Sequence, residues 1–368
     1  MIYLDNGATS FHKPETVKKA VISAMERCAN PGRGGYGAAM EASKMVYRCR
    51  ERAGELFGCQ PEQVLITTNC THGLNIAIGT LVKPGSRVVI SGFEHNAVTR
   101  PLHGLDAKIT VAGRRLFDPE DTLENFEKAL KSGADAAVFT HVSNVFGYVL
   151  PVEEMSKLCK QYGIPFIIDA AQSAGSREVK LDRLGADFIA MPGHKGLLGP
   201  QGTGLLLCGR NIVPLLYGGT GNQSILQQMP EDLPERGEAG TLNVPGIAGL
   251  AAGLEYLIKT GVETLGKREE MQAKRCAYGL QKLGFQVFYG ESQCGTVSFV
   301  PNEDCEEAAN KLAKMGIAVR AGLHCAPLAH ESAGTLDTGT VRVSFGGDAA
   351  PWQTEKFLLS VKKLKSKL

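Results

Sequence analysis

No C-x-x-C pair occurs in this chain of 368 residues, although it carries ten cysteines; the closest two, Cys49 and Cys59, stand ten residues apart. A structural zinc site normally brings at least one short ligand pair, so no metal site is expected. Clustered positive charge is missing too. Lys and Arg number 40 against 38 Asp and Glu, a net charge of +2. The one basic cluster, Lys362, Lys363, Lys365 and Lys367, reads as the solvated face of a terminal helix. Phosphate backbones need clustered cations, which sets nucleic acid aside as a partner. No apolar run approaches the length that crosses a bilayer. Met1-Ile2-Tyr3-Leu4-Asp5 enters a strand-like segment directly, without the basic and apolar regions of a secretory leader. These absences imply a reduced, cytoplasmic protein with no role at a membrane, most of its cysteines serving as small core residues.

What is present is material for a large core. Hydrophobic residues make up 43% and charged residues 21%, and the length suits two or three ordinary domains. Between Gln63 and Cys208 short apolar runs alternate with helix-like stretches. The runs are Val64–Ile66, Val88–Ile90, Ala136–Phe139, Phe166–Ile168, Phe188–Ala190 and Gly204–Leu207. Runs this short and apolar fit strands buried on both faces of a mainly parallel sheet. Asp118–Lys131 and Pro151–Tyr162 show helical spacing with acidic first turns. Ala38–Phe57 reads as one amphipathic helix with Gly58 at its end. Beyond about residue 245 a long helical stretch, Ile247–Lys282, precedes strand candidates Thr296–Val300, Ala318–Ala321 and Thr340–Phe345 and a terminal helix from Pro351. The expectation is an α/β protein with a large domain, residues 13–245, and a smaller α+β domain made of 1–12 and 246–368. No internal repeat or low-complexity linker interrupts it.

In an open α/β sheet, ligands sit beyond the carboxyl ends of the strands. The first strand ends in Thr67-Thr68-Asn69-Cys70-Thr71-His72-Gly73, hydroxyls and free N–H groups at a helix start. That suits an anion such as phosphate, and equally an ordinary N-cap. Other ends carry Glu94-His95-Asn96 and Thr140-His141-Val142-Ser143-Asn144. Ile168-Asp169 puts an acid straight after a buried apolar run, which is costly unless a cation pairs with it. That cation is either a structural Arg or Lys or a protonated heteroaromatic nitrogen. Gly193-His194-Lys195-Gly196 holds a lysine between glycines, placed for Schiff-base chemistry. In order, phosphate loop, His, Asn, Asp-x-x-Gln and Gly-His-Lys meet the needs of pyridoxal 5′-phosphate (PLP). Those needs are an anion site, a stacking group, a pyridinium partner and an imine-forming amine.

With these motifs the chain resembles the class V aminotransferase-type PLP enzymes, and within them the cysteine desulfurase/selenocysteine lyase branch. The resemblance starts at Tyr3-Leu4-Asp5-Asn6-Gly7-Ala8-Thr9 and Asn30-Pro31-Gly32-Arg33-Gly34. It continues through Glu94-His95, Ile168-Asp169-Ala170-Ala171-Gln172-Ser173, Gly193-His194-Lys195 and Glu238-Ala239-Gly240-Thr241. It closes on Arg320-Ala321-Gly322-Leu323-His324-Cys325-Ala326 and Arg342-Val343-Ser344. It implies the PLP-dependent transferase fold type I, its large domain built on a mainly parallel sheet of seven strands.

The resemblance also implies roles. Lys195 matches the lysine that holds PLP as a Schiff base and moves the substrate proton; Asp169 matches the acid on the pyridine nitrogen; His95 matches the histidine stacked on the ring. Gln172 and Asn144 match residues bonded to the ring hydroxyl oxygen, Asn144 also reaching the substrate carboxylate. Cys70, Thr71 and His194 match phosphate contacts, and Thr241 one that the partner subunit of a homodimer donates. Arg342 matches the arginine gripping the substrate α-carboxylate, a planar fork on a planar anion, and Arg320 is assigned to the substrate with it. Cys325 matches the nucleophile of group II desulfurases, with His324 beside it to help ionise the thiol. Four positions depart from the pattern: Leu323 replaces a common histidine, Pro192 a serine, Cys70 a hydroxyl residue and His72 a glutamate. The implied activity converts L-cysteine to L-alanine and leaves a persulfide on Cys325 for an acceptor protein. Selenocysteine lyase, a class V aminotransferase and a C–S lyase for another amino acid are the alternatives.

Overall fold

The computed structural model describes residues 1–365 except Arg33 and Asn222, so Arg33 of the Asn30–Gly34 motif and Lys367 of the basic cluster lie outside the described residues. The chain opens with β1 (Ile2–Tyr3). Seven strands then form one sheet: β2 (Val64–Thr67), β3 (Arg87–Ile90), β4 (Lys108–Val111), β5 (Ala136–Thr140), β6 (Phe166–Asp169), β7 (Phe188–Pro192) and β8 (Gly204–Cys208), in the order β2-β8-β7-β6-β5-β3-β4. The five strands β3 to β7 pair in parallel with one another, whereas β8 is antiparallel to both β2 and β7.

The apolar runs become strands because both faces are covered. Every residue of β5, β7 and β8 is buried. Alternate residues feed alternate layers, as a period of two requires. Val89, Phe139, Ile168 and Ile189 pack with Val46, Cys49, Ala53 and Phe57 of the helix Gly37–Phe57. Val88, Ile90, Val138 and Ile167 pack on the other side with Leu74 and Ile78 of the helix Cys70–Leu81 and with Val98 and Leu102 of the helix Asn96–Gly104. β4, outside the apolar runs, is an edge strand with its outer side open; its residues alternate between exposed and half-buried, so its sequence, Lys-Ile-Thr-Val, is only half apolar.

The long helical stretch is two helices, Val244–Thr260 and Val262–Lys282, separated at Gly261, whose φ of +85° a side chain would resist. The first sends Leu250, Leu254 and Leu257 into the core of the large sheet. The second sends Ala273, Cys276 and Leu280 into a separate core. That core lies on a four-stranded sheet built from β9 (Gln286–Phe288), β10 (Thr296–Val300), β12 (Arg320–Gly322) and β13 (Thr340–Ser344), in the order β12-β13-β10-β9. The Ala318–Ala321 run divides at Val319. Its first half belongs to β11 (Ile317–Ala318), which pairs in parallel with β1, while β12 turns to β13. The register sets Arg320 opposite Arg342. The helix Pro351–Lys365 closes this core with Phe357 and Val361.

Glu238, in the Glu238–Thr241 motif, is buried. Arg50 donates to both its oxygens, at 2.8 and 2.6 Å, and the Ile66 N–H to one of them at 2.7 Å. The segment carrying Thr241 is thereby tied to the helix Gly37–Phe57 and to β2. Among the described residues, no helix is long and apolar enough to cross a membrane.

Candidate active site

The carboxyl ends of β2, β3, β5, β6 and β7 open onto a cleft of about 880 Å³, whose far wall is made by β12, β13 and the loop between them. Cys70, Thr71, His95, Asn144, Asp169, Gln172, His194, Lys195, Arg320, Cys325 and Arg342 all line it. Thr241 does not; it is exposed on the segment before the helix Val244–Thr260.

At the end of β2, Asn69 caps the helix Cys70–Leu81 by accepting from the His72 N–H at 2.9 Å. This leaves the first N–H groups of the helix, at Cys70 and Thr71, available to an anion. The buried Nδ1 of His194, on the same cleft, has no partner among the described residues. The Cys70 thiol is committed elsewhere: it donates to Asp169 Oδ1 at 3.4 Å. Burial, then the Asp169 charge, pushes that thiol well above its ordinary range, so it stays a protonated donor. Only the backbone of Cys70 is therefore free for the phosphate role expected of it. The Ala171 N–H donates to the same Asp169 oxygen at 2.9 Å, and Oδ2 remains for a cationic ring nitrogen. An open helix start, an orphaned imidazole nitrogen and a half-free buried carboxylate fit PLP.

Lys195 follows a turn fixed from two sides. The His194 carbonyl accepts from the Ser10 N–H, the Thr9 hydroxyl and the Lys13 amine, each at 3.0 Å. Gly175, at φ +94°, lies so close that a Cβ there would sit 2.2 Å from the Gly196 carbonyl oxygen. Burial, and secondly the charge of Arg342, lowers the pKa of the Lys195 amine, against the opposing pull of Asp169. His95 caps the helix Asn96–Gly104, its Nδ1 accepting from the Ala97 N–H at 3.0 Å. The ring proton is thus assigned to Nε2, and burial keeps the ring toward its neutral form. Just before it the buried Glu94 joins the ends of β3 and β5 by accepting from the Ser91 hydroxyl at 2.5 Å and the Thr140 N–H at 2.9 Å. The amides of Gln172 and Asn144 each have one N–H engaged, on the Gly7 carbonyl at 3.0 Å and the His324 carbonyl at 2.7 Å, and keep a second N–H. The buried Oδ1 of Asn144 has no partner among the described residues.

Arg342 is 2% exposed. It donates to the Asn144 carbonyl at 2.9 Å and to Asp5 Oδ1 at 2.8 Å, while Arg320 reaches Asp5 Oδ2 at 3.3 Å. Asp5 thus compensates both guanidiniums, a role that the sequence reading did not assign. The signal was there: like Asp169, it is an acid directly after a buried apolar residue, here Leu4.

Of the ten cysteines, all free, Cys325 alone is exposed. Burial pushes the thiols of Cys49 and Cys159 up to about 12 and those of Cys59 and Cys294 to about 11. His324 and Cys325 both have φ in the left-handed region, +50° and +57°, a conformation that costs non-glycine residues about 1–2 kcal/mol each. Anchors on both sides hold the loop: the Asn96 N–H donates to the Cys325 carbonyl at 2.8 Å, and Asn144 to that of His324. The expected help from His324 is not found. Its ring is buried against Thr340, at 3.2 Å, and near His330, and burial followed by the Arg342 charge holds it at about 2. A ring that stays neutral cannot act as the cation beside a thiolate.

Residues 2–355 match the family model for aminotransferase class-V. A probable cysteine desulfurase of Pyrococcus abyssi is 35% identical, over 97% of this chain and 92% of the relative. One from Methanothermobacter thermautotrophicus is 32% identical, over 93% and 89%. The apo structure of the cysteine desulfurase of Thermococcus onnurineus NA1 superposes with a TM-score of 0.92 at 32% identity, covering 100% of this chain and 95% of that one.

Proposed function

The chain belongs to the aminotransferase class-V family, and on that premise we propose that it is a PLP-dependent cysteine desulfurase working in the cytoplasm. The carrying observation is that its one exposed thiol, Cys325, lines the same cleft as Lys195, Asp169 and Arg342. Relatives named cysteine desulfurase over nearly the whole chain support the reading.

PLP, when bound, supplies an electron sink that weakens bonds at the substrate's α- and β-carbons. The chain's residues do the rest. The helix start at Cys70–Thr71 and His194 hold the phosphate. Asp169 Oδ2, oriented by the two donors on Oδ1, keeps the ring nitrogen protonated. Lys195, its pKa lowered, is available as a neutral amine to bind the cofactor carbonyl and to carry the α-proton. Arg342 takes the substrate carboxylate, which must share it with Asp5. Cys325, as thiolate, attacks the substrate sulfur: an S–S bond forms, the C–S bond breaks, and the electron pair left on carbon is protonated on the way to alanine. The persulfide then sits on an exposed loop, open to an acceptor protein. A homodimer completes the reading by bringing Thr241 to the neighbouring cleft. Exposed Leu215, Leu216, Tyr217, Ile225 and Leu226 on the preceding segment support it.

The test is Cys325→Ala. PLP binding and the spectral response to L-cysteine should persist, since neither rests on this thiol, while alanine release from L-cysteine should fall by about 10³ or more. Release at the parental rate would sink the persulfide mechanism. The same assay with L-selenocysteine separates this reading from a selenocysteine lyase.

A further inference from the structure

Behind the wall formed by Gly7, Gln172 and Lys195 lies a second cavity, of about 1070 Å³, which the reaction above leaves unused. Its other walls come from the helix Val262–Lys282, the end of β13 and the segment from Asn6 to Pro14. Leu198, Tyr256, Leu265 and Phe345 make much of the lining apolar.

Two ionisable groups of opposite sign face this space, and no ion pair joins them. The Glu269 carboxyl accepts no hydrogen bond among the described residues. Burial, reinforced by the charges of Glu270 and Asp348, pushes it up to about 8, with Arg177 pulling the other way. Lys13 donates only to uncharged acceptors, the Ser10 hydroxyl at 2.5 Å and the His194 carbonyl at 3.0 Å. Burial lowers its amine to about 8. Both side chains are half-buried, and with no counter-charge bonded to it each would gain from an opposite charge brought in by a ligand. A plain anion would satisfy Lys13 alone and a plain cation Glu269 alone. A small molecule carrying both charges can answer both. Asp348, on the same lining, adds to the attraction for a cation, and His12 stands beside Lys13.

We propose that this cavity is a second binding site for a small α-amino acid, its ammonium on Glu269 and its carboxylate on Lys13. The site stands on the cavity and its two uncompensated groups, independently of the desulfurase reading. Its ligand would lie against the far side of the segment carrying Lys195.

The experiment is calorimetry on the purified protein after borohydride treatment, which fixes the cofactor to Lys195, with L-alanine as titrant and propionate and ethylammonium as single-charge controls. Saturable binding of one alanine per chain is expected, at least tenfold tighter than either control. Glu269→Gln, with an unchanged circular dichroism spectrum, should weaken alanine at least tenfold, and Lys13→Gln likewise if it folds. No saturable binding would overturn the proposal, as would equal binding by Glu269→Gln. Binding that disappears in Arg342→Ala yet survives Glu269→Gln would place the amino acid in the first cleft and overturn it too. Failure of borohydride to label Lys195 would instead count against the cofactor, leaving the titration to decide the cavity.

Discussion

Glu238→Gln tests whether the segment carrying Thr241 is held by the ion pair with Arg50. The side chains of Arg50 and Glu238 are only 8% and 5% exposed, so water cannot replace a lost partner. Glutamine keeps the volume and an acceptor for the Ile66 N–H, but it leaves the Arg50 charge uncompensated. Breaking a buried pair from one side costs about 3–5 kcal/mol. Arg50 retains the Val64 carbonyl at 2.7 Å, which argues for the lower end, about 3 kcal/mol, or roughly a hundredfold in the folding equilibrium. With a urea slope of about 3 kcal/mol per molar, the unfolding midpoint should fall by about 1 M. The Arg50→Met/Glu238→Met double variant removes both charges and should recover more than half of that loss, because a buried pair replaced as a whole is often nearly neutral. A Glu238→Gln midpoint within about 0.2 M of the parent would refute the reasoning and class the pair with surface salt bridges.

Three further outcomes follow from the site and the core. An aromatic disulfide reagent at pH 8 should find its fastest thiol at Cys325, absent in Cys325→Ala, react more slowly with the half-buried Cys28 and Cys59, and release the other seven only on unfolding; an equally fast thiol remaining in Cys325→Ala would contradict the burial pattern. Gly175→Ala should cost about 3 kcal/mol or more and displace the Lys195 turn, because both the positive φ and the approach of Gly196 resist a Cβ; parental stability and borohydride labelling would disprove that. Stability should peak near the ordinary histidine range of 6.5. Below it the unfolded chain takes up protons that His141, His194, His324 and His330 refuse in the fold, being held at about 3, 4, 2 and 4, so stability falls as pH drops. Above it the raised carboxyls work in the opposite sense. Glu94 and Glu269 keep protons to about 8 in the fold against 4.5 unfolded, and their contribution is lost as pH rises through that window. Urea midpoints from pH 5 to 8 decide it, and a steady rise from 6 to 8 would be the wrong answer.

Much of the large sheet was legible because its strands are buried on both faces, which leaves apolar runs such as Phe188–Ala190 with no other reading. β4 was not, since this edge strand, unlike the buried edge strand β2, is half wet and carries half the pattern. The break at Gly261 was hidden because helical spacing continues on both sides of it, and one backbone angle marks the change. β11 and β12 fall on one strand candidate, Ala318–Ala321, and only pairing with partners distant in sequence separates them. The cleft residues were legible by their place at strand ends. Their partners were less so: Asp5 on Arg342, Cys70 on Asp169 and Asn144 on His324 are contacts between distant segments, and spacing carries no trace of them. His324 misled for the same reason. Adjacency to Cys325 in sequence suggests a contact, whereas the left-handed loop sends its ring into the core beside Thr340.

The pairing of β1 with β11 has a consequence for how the molecule is made. Ile2 lies opposite Ile317, the Leu4 N–H donates to the Ala318 carbonyl, and the Gly7 N–H donates to the Ser344 hydroxyl across 337 positions. A ribosome adding about 5–20 residues per second leaves that first segment waiting roughly 20–70 s for its partners. The large sheet is complete in sequence by Cys208, so the turn presenting Lys195 can form while the arginines and the nucleophile loop are still unmade. A nascent or stalled chain therefore exposes an aldehyde-reactive amine before the groups that choose its substrate exist. Arrested chains ending shortly after residue 260 should capture a carbonyl reagent and yet release no alanine from cysteine.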